Sequence, residues 1–265
     1  MDLPTVTRIA TPAARADIPV GAMPLAGGTW VFSEPQLGVT ELVDLLALGW
    51  RPITVRESGI ELAATATLAA VAAHPFPASW PGAALFDAGA RALLASFKVL
   101  DAATVGGNLA LSYPAGAMIA VAVALDATVQ IWRADGSDED VAARDFVTGS
   151  QTNVLRPGDL IRRITYPAAA LECPVAHRKL APSSRGRSAA FLIGRTLPDG
   201  TGMLTVTAST VRPVVLTGLT DWGTVGAAID PDLFVDDVHG AADWRRHVTG
   251  VLAGRIADEL GWGGA

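Results

Sequence analysis

Residues 102–125 read AATVGGNLALSYPAGAMIAVAVAL and contain no charged side chain. A hydropathy window would take such a stretch for a membrane span. Two segments inside it indicate turns instead: Gly106-Gly107-Asn108, because glycine can adopt a positive φ, and Pro114-Ala115-Gly116, because proline lacks an N–H donor. Only residues 117–125 have the length and composition of a helix, and such a helix is too short to cross a bilayer. The sequence therefore predicts no membrane span here.

The glycine pair that precedes this helix suggests a phosphate site. A glycine loop followed by an apolar helix can bring backbone N–H groups against a phosphate. A second glycine turn, Ala26-Gly27-Gly28-Thr29, follows a short strand predicted within residues 18–30. The two turns, with the side chains of Thr29 and Asn108, could hold the two halves of a pyrophosphate from opposite sides. They could also be ordinary structural turns, and spacing alone leaves both interpretations open.

Composition limits the classes of function. Of the 265 residues, 17% are charged and half are hydrophobic, which is typical of a globular chain. The net charge of −6 predicts no surface for nucleic acid or an anionic membrane. The single cysteine, Cys173, excludes an internal disulfide and cannot hold an iron–sulfur cluster or a structural zinc site. The N-terminus lacks the apolar segment of a secretory signal, so we expect a cytoplasmic protein.

Several common catalytic motifs are missing from the sequence. It has no G-x-G-x-x-G after the first predicted strand, no Walker lysine loop and no H-E-x-x-H. The four histidines, at positions 74, 177, 239 and 247, lack metal-ligand spacing, and Cys173 has no evident base partner. We therefore predict no metal site, which leaves the two glycine turns as the candidate site.

The rest of the chain carries alternating helix and strand patterns. Thr40 is expected to cap a short helix over residues 41–48 that Gly49 ends. Further helices are predicted at residues 67–73, within 82–97 and at 241–260, and further strands within 51–64 and at 128–132, 159–166, 176–180, 188–194, 203–208 and 211–216. In the last helix, Arg245, Arg246 and Arg255 are expected on the face opposite the apolar residues.

Several segments in order resemble one known family. LAGGTWVFSEPQ (25–36) and TVGGNLALSYPAG (104–116) are similar to the two flavin-binding motifs of the medium, FAD-carrying subunit of molybdenum hydroxylases, such as carbon monoxide dehydrogenase and xanthine dehydrogenase. The likeness continues in ESGIELAATATLAAVAAHP (57–75), RPGDLIRRITYP (156–167), HRKLAPSSRGRSAA (177–190) and HGAADWRRHVTGVLAGRI (239–256). It covers nearly the whole chain.

The resemblance implies an α+β fold of the PCMH, or vanillyl-alcohol-oxidase, type. Two α/β subdomains, residues 1–56 and 57–168, would clasp FAD, and residues 169–265 would form a C-terminal domain of a sheet and a helix. By the same resemblance, the first motif would hold the pyrophosphate through Leu25, Ala26, Gly27, Gly28, Thr29, Trp30 and Val31. The second motif would contact the cofactor through Thr104, Val105, Gly106, Gly107 and Asn108.

Further site residues follow from the same likeness. Leu160 or Ile161 would lie near the isoalloxazine ring, and Lys179 would lie close to its reactive edge, where it could stabilise negative charge on reduced flavin. Many family members carry an aspartate where this chain has Ala117, which would remove one cofactor contact. The hydroxyl groups of Ser112 and Tyr113 could replace that contact.

The family implies an electron-transfer subunit. Electrons would arrive from a [2Fe–2S] subunit, after hydroxylation on a molybdopterin subunit, and would leave FAD for NAD⁺, oxygen or another acceptor. Two alternatives stay open at this point: a homologue that has lost FAD and serves in assembly or binding, motivated by Ala117, and a free-standing flavin oxidoreductase.

Overall fold

The computed structural model of the chain describes residues 3–183 and 186–262. Its N-terminal part contains the strands β1 (Arg8–Ala10), β2 (Met23–Leu25) and β3 (Glu41–Asp44), and the 3₁₀ helices Arg15–Asp17 and Leu45–Leu48. The strands form a parallel sheet in the order β1-β3-β2. The loop with the first glycine pair therefore leaves this sheet at the end of β2.

The helix predicted over residues 41–48 is wrong in its first half. Residues 41–44 form β3, the central strand, where the adjacent Leu42 and Val43 are both buried. Neighbouring residues of a strand point to opposite faces, so both faces of β3 are covered, as in a parallel sheet inside a protein. The second half is the 3₁₀ helix, which ends at Gly49 in the left-handed conformation, as the glycine predicts.

The middle of the chain combines an antiparallel sheet with a group of helices. Its first elements are β4 (Ile53–Arg56), β5 (Gly59–Ala63), α1 (Leu68–Ala73), the 3₁₀ helix Pro81–Ala83, α2 (Ala84–Ala92), α3 (Phe97–Ala102), α4 (Val105–Leu111) and α5 (Ala117–Ala124). They are followed by β6 (Thr128–Trp132), β7 (Asp138–Ala142), α6 (Ala143–Phe146), β8 (Val147–Gly149), β9 (Thr152–Asn153), β10 (Leu160–Pro167) and α7 (Ala168–Leu171).

The antiparallel sheet has the order β4-β5-β10-β6-β7. It contains two hairpins: β4–β5, within the predicted strand region 51–64, and β6–β7, whose first strand is the one predicted at 128–132. Because β4 pairs with β5, a subdomain boundary at residue 56 would separate β4 from its partner strand. Along the chain, the 3₁₀ helix that follows the N-terminal sheet ends at Gly49 and the antiparallel sheet begins at Ile53.

The C-terminal part is a second antiparallel sheet covered by a long helix. Its elements are β11 (Val175–Leu180), β12 (Ala190–Thr196), β13 (Gly202–Thr207), β14 (Val214–Thr217), the 3₁₀ helices Trp222–Thr224 and Pro231–Leu233, α8 (Val225–Ala228) and α9 (Ala242–Leu260). The four strands pair in chain order, and α9 packs on the sheet through Leu252, Ala253 and Ile256. Residues 184–185, which belong to the family-like segment HRKLAPSSRGRSAA (177–190), lie outside the described residues.

Arg245 corrects the expectation for the last helix. Its side chain is 1% exposed, whereas Arg246 and Arg255 are exposed as predicted. The Arg245 guanidinium donates to the carbonyl oxygens of Ala189 and Ala208 and forms an ion pair with Asp237. A buried arginine needs such acceptors, and periodicity on one helix cannot indicate them, because they come from other elements.

The apolar helix α5 is buried on all sides. Every residue from Ala117 to Ala124 is buried, and the helix packs against α2 as well as against β12 and β13 of the C-terminal sheet. A helix that is apolar all round belongs in a core, which explains the uncharged stretch. Among the described residues, no helix is both long and apolar enough to cross a membrane.

Candidate functional site

A cavity of about 660 Å³ lies between the N-terminal sheet, the helices α3 and α4, and the segment that leads into β10. Its volume is in the usual range for ligand pockets, about 300–1,000 Å³. Many of the residues named from the resemblance line it: Ala26, Gly27, Gly28, Thr29, Trp30, Val31, Thr104, Gly106, Gly107, Asn108, Leu160 and Ile161. The fold therefore brings the two glycine motifs and the start of β10 around one cavity.

The first glycine loop offers unpaired backbone donors to this cavity. The N–H groups of residues 27–31 donate to no acceptor among the described residues, while the loop is closed by the N–H of Phe32 bonding the carbonyl of Gly28 at 2.9 Å. Gly28 has a φ of +68°, which favours glycine. At Gly27 an added Cβ would lie 1.7 Å from the carbonyl oxygen of Ala102. Both glycines are thus required, and the loop has the character of an anion-binding nest.

The second glycine pair is not a loop, and this part of the sequence prediction is wrong. Gly106 and Gly107 lie in the first turn of α4, whose N-cap is Thr104. The threonine hydroxyl accepts from the N–H of Gly107 at 3.1 Å, and the N–H of Gly106 bonds the carbonyl of Ala64 at 2.9 Å. The donors predicted to meet a phosphate here are therefore already bound to protein acceptors.

Close packing explains the glycines of α4 better than hydrogen bonding does. An added Cβ at Gly106 would lie 2.5 Å from the Cβ of Ala64, so this glycine lets α4 approach the end of β5. An added Cβ at Gly107 would meet only the Thr104 hydroxyl, at 3.1 Å. Because Gly107 also lines the cavity, it presents bare backbone there.

Asn108 has a capping role as well as a place in the cavity wall. Its side-chain oxygen accepts from the N–H of Met118 at 3.1 Å, which satisfies a donor in the first turn of α5. Its side-chain NH₂ group has no acceptor among the described residues. Asn108 therefore connects α4 to α5 and keeps one polar group at the cavity.

Five of the named residues do not line the cavity: Leu25, Val105, Ser112, Tyr113 and Lys179. The Ser112 hydroxyl is buried and bonded to the carbonyl of Leu109 and the side chain of Asn153. The guanidinium of Arg187 lies 5.6 Å from the ring centroid of Tyr113. Lys179 lies in β11 opposite Phe191, and partial burial lowers its pKa.

Ala117, the position where the resemblance implies a missing cofactor contact, lies outside the lining of the cavity. Ala117 is the first residue of α5, is 3% exposed and does not line the cavity. It packs in the core, where its neighbours include α2. In this chain, therefore, Ala117 is the buried first residue of α5 and forms no part of the cavity wall.

Two charged residues of the wall, Arg156 and Asp159, were missed in the sequence. Both lie in the turn before β10, and the Asp159 carboxylate accepts from the N–H of Arg156 at 2.7 Å and from that of Ala134 at 3.0 Å. Asp159 also forms an ion pair of 2.6 Å with the buried Arg133. Burial alone would raise the pKa of Asp159, but these hydrogen bonds and the positive charge of Arg133 hold it below its usual value.

The available signal for these residues was the sequence Arg156-Pro157-Gly158-Asp159 itself. Proline and glycine indicate a turn directly before a strand, and an acidic side chain in such a turn often bonds nearby N–H groups. The sequence does not show that Arg133, the residue directly after β6, is the ion-pair partner of Asp159.

Comparison with known proteins gives a consistent result. The family model described as "FAD binding domain in molybdopterin dehydrogenase" matches residues 8–169. Comparison with curated protein sequences gives no match. Among solved structures, quinoline 2-oxidoreductase from Pseudomonas putida 86 has a TM-score of 0.80 at 20% identity, with 98% of both chains covered.

Two carbon monoxide dehydrogenase structures are equally similar. The cyanide-inactivated Cu,Mo-CO dehydrogenase has a TM-score of 0.81 at 22% identity and covers 96% of this chain and 98% of its own. The enzyme from Hydrogenophaga pseudoflava that lacks the Mo-pyranopterin moiety has a TM-score of 0.82 at 18% identity and covers 97% and 98%. At these identities the structural likeness establishes the fold, and it confirms the expected α+β architecture over 96–98% of the chain.

Proposed function

Because the chain belongs to the family of FAD-binding domains in molybdopterin dehydrogenases, we propose that it is the electron-transfer subunit of a molybdenum hydroxylase. FAD as cofactor and a place in an oxidoreductase follow from the family. Our proposal adds the route: electrons arrive from a [2Fe–2S] subunit that serves a molybdopterin subunit, and they leave to NAD⁺, oxygen or another acceptor. The observation that carries it is that residues of both flavin-motif segments, 25–36 and 104–116, line the same cavity.

The residues of the cavity fit FAD. The unpaired N–H groups of residues 27–31 suit the oxygens of a pyrophosphate. The indole N–H of Trp30 is buried without an acceptor among the described residues, which costs about 1–3 kcal/mol that a ligand oxygen would recover. Leu45, Leu155 and Ile161 supply apolar wall for an aromatic ring system.

The contribution of the chain to the reaction is binding and orientation. Bound flavin accepts and donates electrons. The wall holds one carboxylate among the described residues, Asp159, and its ion pair with Arg133 keeps it ionised, so it is not a proton donor near neutral pH. The apolar residues Leu45, Leu155 and Ile161 would keep water from the ring of the bound cofactor. Lys179 keeps its proposed place near the flavin edge on the resemblance alone.

Co-purification tests the proposal directly. The native complex should contain this chain, a cysteine-rich [2Fe–2S] protein, a molybdopterin protein and one equivalent of FAD. A purified chain without flavin absorbance that takes up no added FAD would contradict the proposal and favour the homologue that has lost FAD. Rapid NAD(P)H oxidation by the isolated chain, with no partners recovered, would instead favour a free-standing flavin oxidoreductase.

A further inference from the structure

The described wall of the cavity contains two charged side chains, and one of them is already neutralised. Asp159 is paired with Arg133, and the two side chains are 1% and 4% exposed. Arg133 also bonds Glu139 and the carbonyl of Val154, so protein groups hold its side chain, and Arg133 does not line the cavity. The remaining charge is that of Arg156.

Arg156 has a fixed backbone and a side chain without a close partner. Its N–H bonds the Asp159 carboxylate at 2.7 Å, and its carbonyl accepts from the N–H of Asp159 at 3.0 Å. Within the part of the chain that the structure describes, its guanidinium forms no ion pair and no side-chain hydrogen bond. The pKa of Asp135 is lowered mainly by hydrogen bonds from Ser137, and the positive charge of Arg156 is a smaller cause of the same shift.

A dianionic pyrophosphate in the cavity would need a positive charge to offset its own. The first glycine loop supplies neutral N–H donors, and the donors of Gly106 and Gly107 are occupied. The chain as a whole has a net charge of −6, which disfavours a dianionic ligand. A guanidinium can bind two phosphate oxygens at once and stays charged at every physiological pH.

We propose that Arg156 is the side chain that recognises the pyrophosphate charge of FAD. This inference rests on the FAD binding of the proposed function and adds a specificity-determining residue to it. The neutral donors of residues 27–31 and the guanidinium of Arg156 then divide the recognition: the loop fixes the position of the phosphates, and the arginine offsets their charge. Asp159 acts as the positioning residue, because it holds the Arg156 backbone.

The test is the affinity of the full-length apoprotein for FAD, titrated by flavin fluorescence at low and high salt. Arg156→Gln should weaken FAD binding about tenfold or more at low salt, and the loss should shrink as salt screens the charge. Arg156→Lys keeps the charge without the planar fork and should lose less. Arg255→Gln removes the same charge from an exposed position of α9 outside the cavity lining and should bind like wild type.

The reduction potential of the bound flavin distinguishes an arginine at the pyrophosphate from an arginine at the isoalloxazine ring. If Arg156 binds the pyrophosphate, the potential in Arg156→Gln stays at the wild-type value. A shifted potential with unchanged affinity would overturn the inference and place the arginine at the isoalloxazine. Wild-type affinity and salt dependence in a folded Arg156→Gln protein would also overturn it while leaving the proposed function intact. A wild-type chain that takes up no FAD would instead remove the proposed function itself.

Discussion

Gly107→Val places two methyl groups at the cavity while leaving their helix almost undisturbed. An added Cβ there meets only the hydroxyl of Thr104, at 3.1 Å, so one oxygen must move by a few tenths of an ångström. Valine has a helix propensity several tenths of a kcal/mol better than that of glycine. The free energy of unfolding should therefore stay within about 0.5 kcal/mol of wild type.

FAD binding should respond much more strongly. Overpacking a well-filled contact costs about 1–3 kcal/mol, which corresponds to a rise in Kd of about 5- to 150-fold. The assay is a fluorescence titration of apoprotein with FAD, next to urea unfolding of the same sample. Gly254→Val is the matched control, because an added Cβ at Gly254 in α9 meets nothing within 4 Å.

One result would refute this reasoning. If Gly107→Val folds normally and binds FAD as tightly as wild type, the bare backbone at Gly107 does not face the cofactor. An equal loss of affinity in Gly254→Val would point to a general effect of valine on the fold.

Three further predictions test other parts of the site. Asp159→Asn removes the buried counterion of Arg133 and leaves it only the half-exposed Glu139, so it should lower the free energy of unfolding by about 1.5–3 kcal/mol in urea titrations. The folded-state pKa of Asp159 is depressed, so its contribution to stability is present above the unfolded pKa of about 3.9 and is lost as pH falls through the folded pKa. Between pH 6 and pH 3, wild type should therefore lose more stability than Asp159→Asn. Thr104→Ala and Thr67→Ala each remove a helix N-cap worth about 0.5–2 kcal/mol, but only Thr104→Ala should change the Kd for FAD, because only Thr104 lines the cavity. Lys179→Ala should lower the flavin reduction potential without loss of FAD, because the lysine does not line the cavity; an unchanged potential would make it an ordinary strand lysine.

The strand patterns and the helix signals predicted most elements, because their information is local. Residues 51–64 alternate around a turn, and Thr67 and His74-Pro75 mark the two ends of α1, as the structure has them. The region 41–48 failed because a central parallel strand is apolar on both faces and has no alternation to read.

The candidate site was predictable in its chain segments but not in its hydrogen bonds. The two glycine motifs do meet at one cavity, yet Gly106 and Gly107 look like a turn in sequence because glycine is a poor helix former. Only the positions of Thr104 and Ala64 decide that their N–H groups are occupied. Asp159 escaped notice for a similar reason, since its partner Arg133 lies 26 positions away in the chain.

The buried helix α5 makes the two halves of the chain depend on each other. One continuous core joins α5 to Phe191, Ile193 and Ala208, which belong to the C-terminal part, beyond the boundary expected after residue 168. A chain cut at that boundary would expose one side of the wholly apolar helix α5 to water, at a cost of about 25 cal/mol for each Å² exposed. The part of the chain that forms the cavity therefore owes some of its stability to the C-terminal part, whose described residues do not line that cavity.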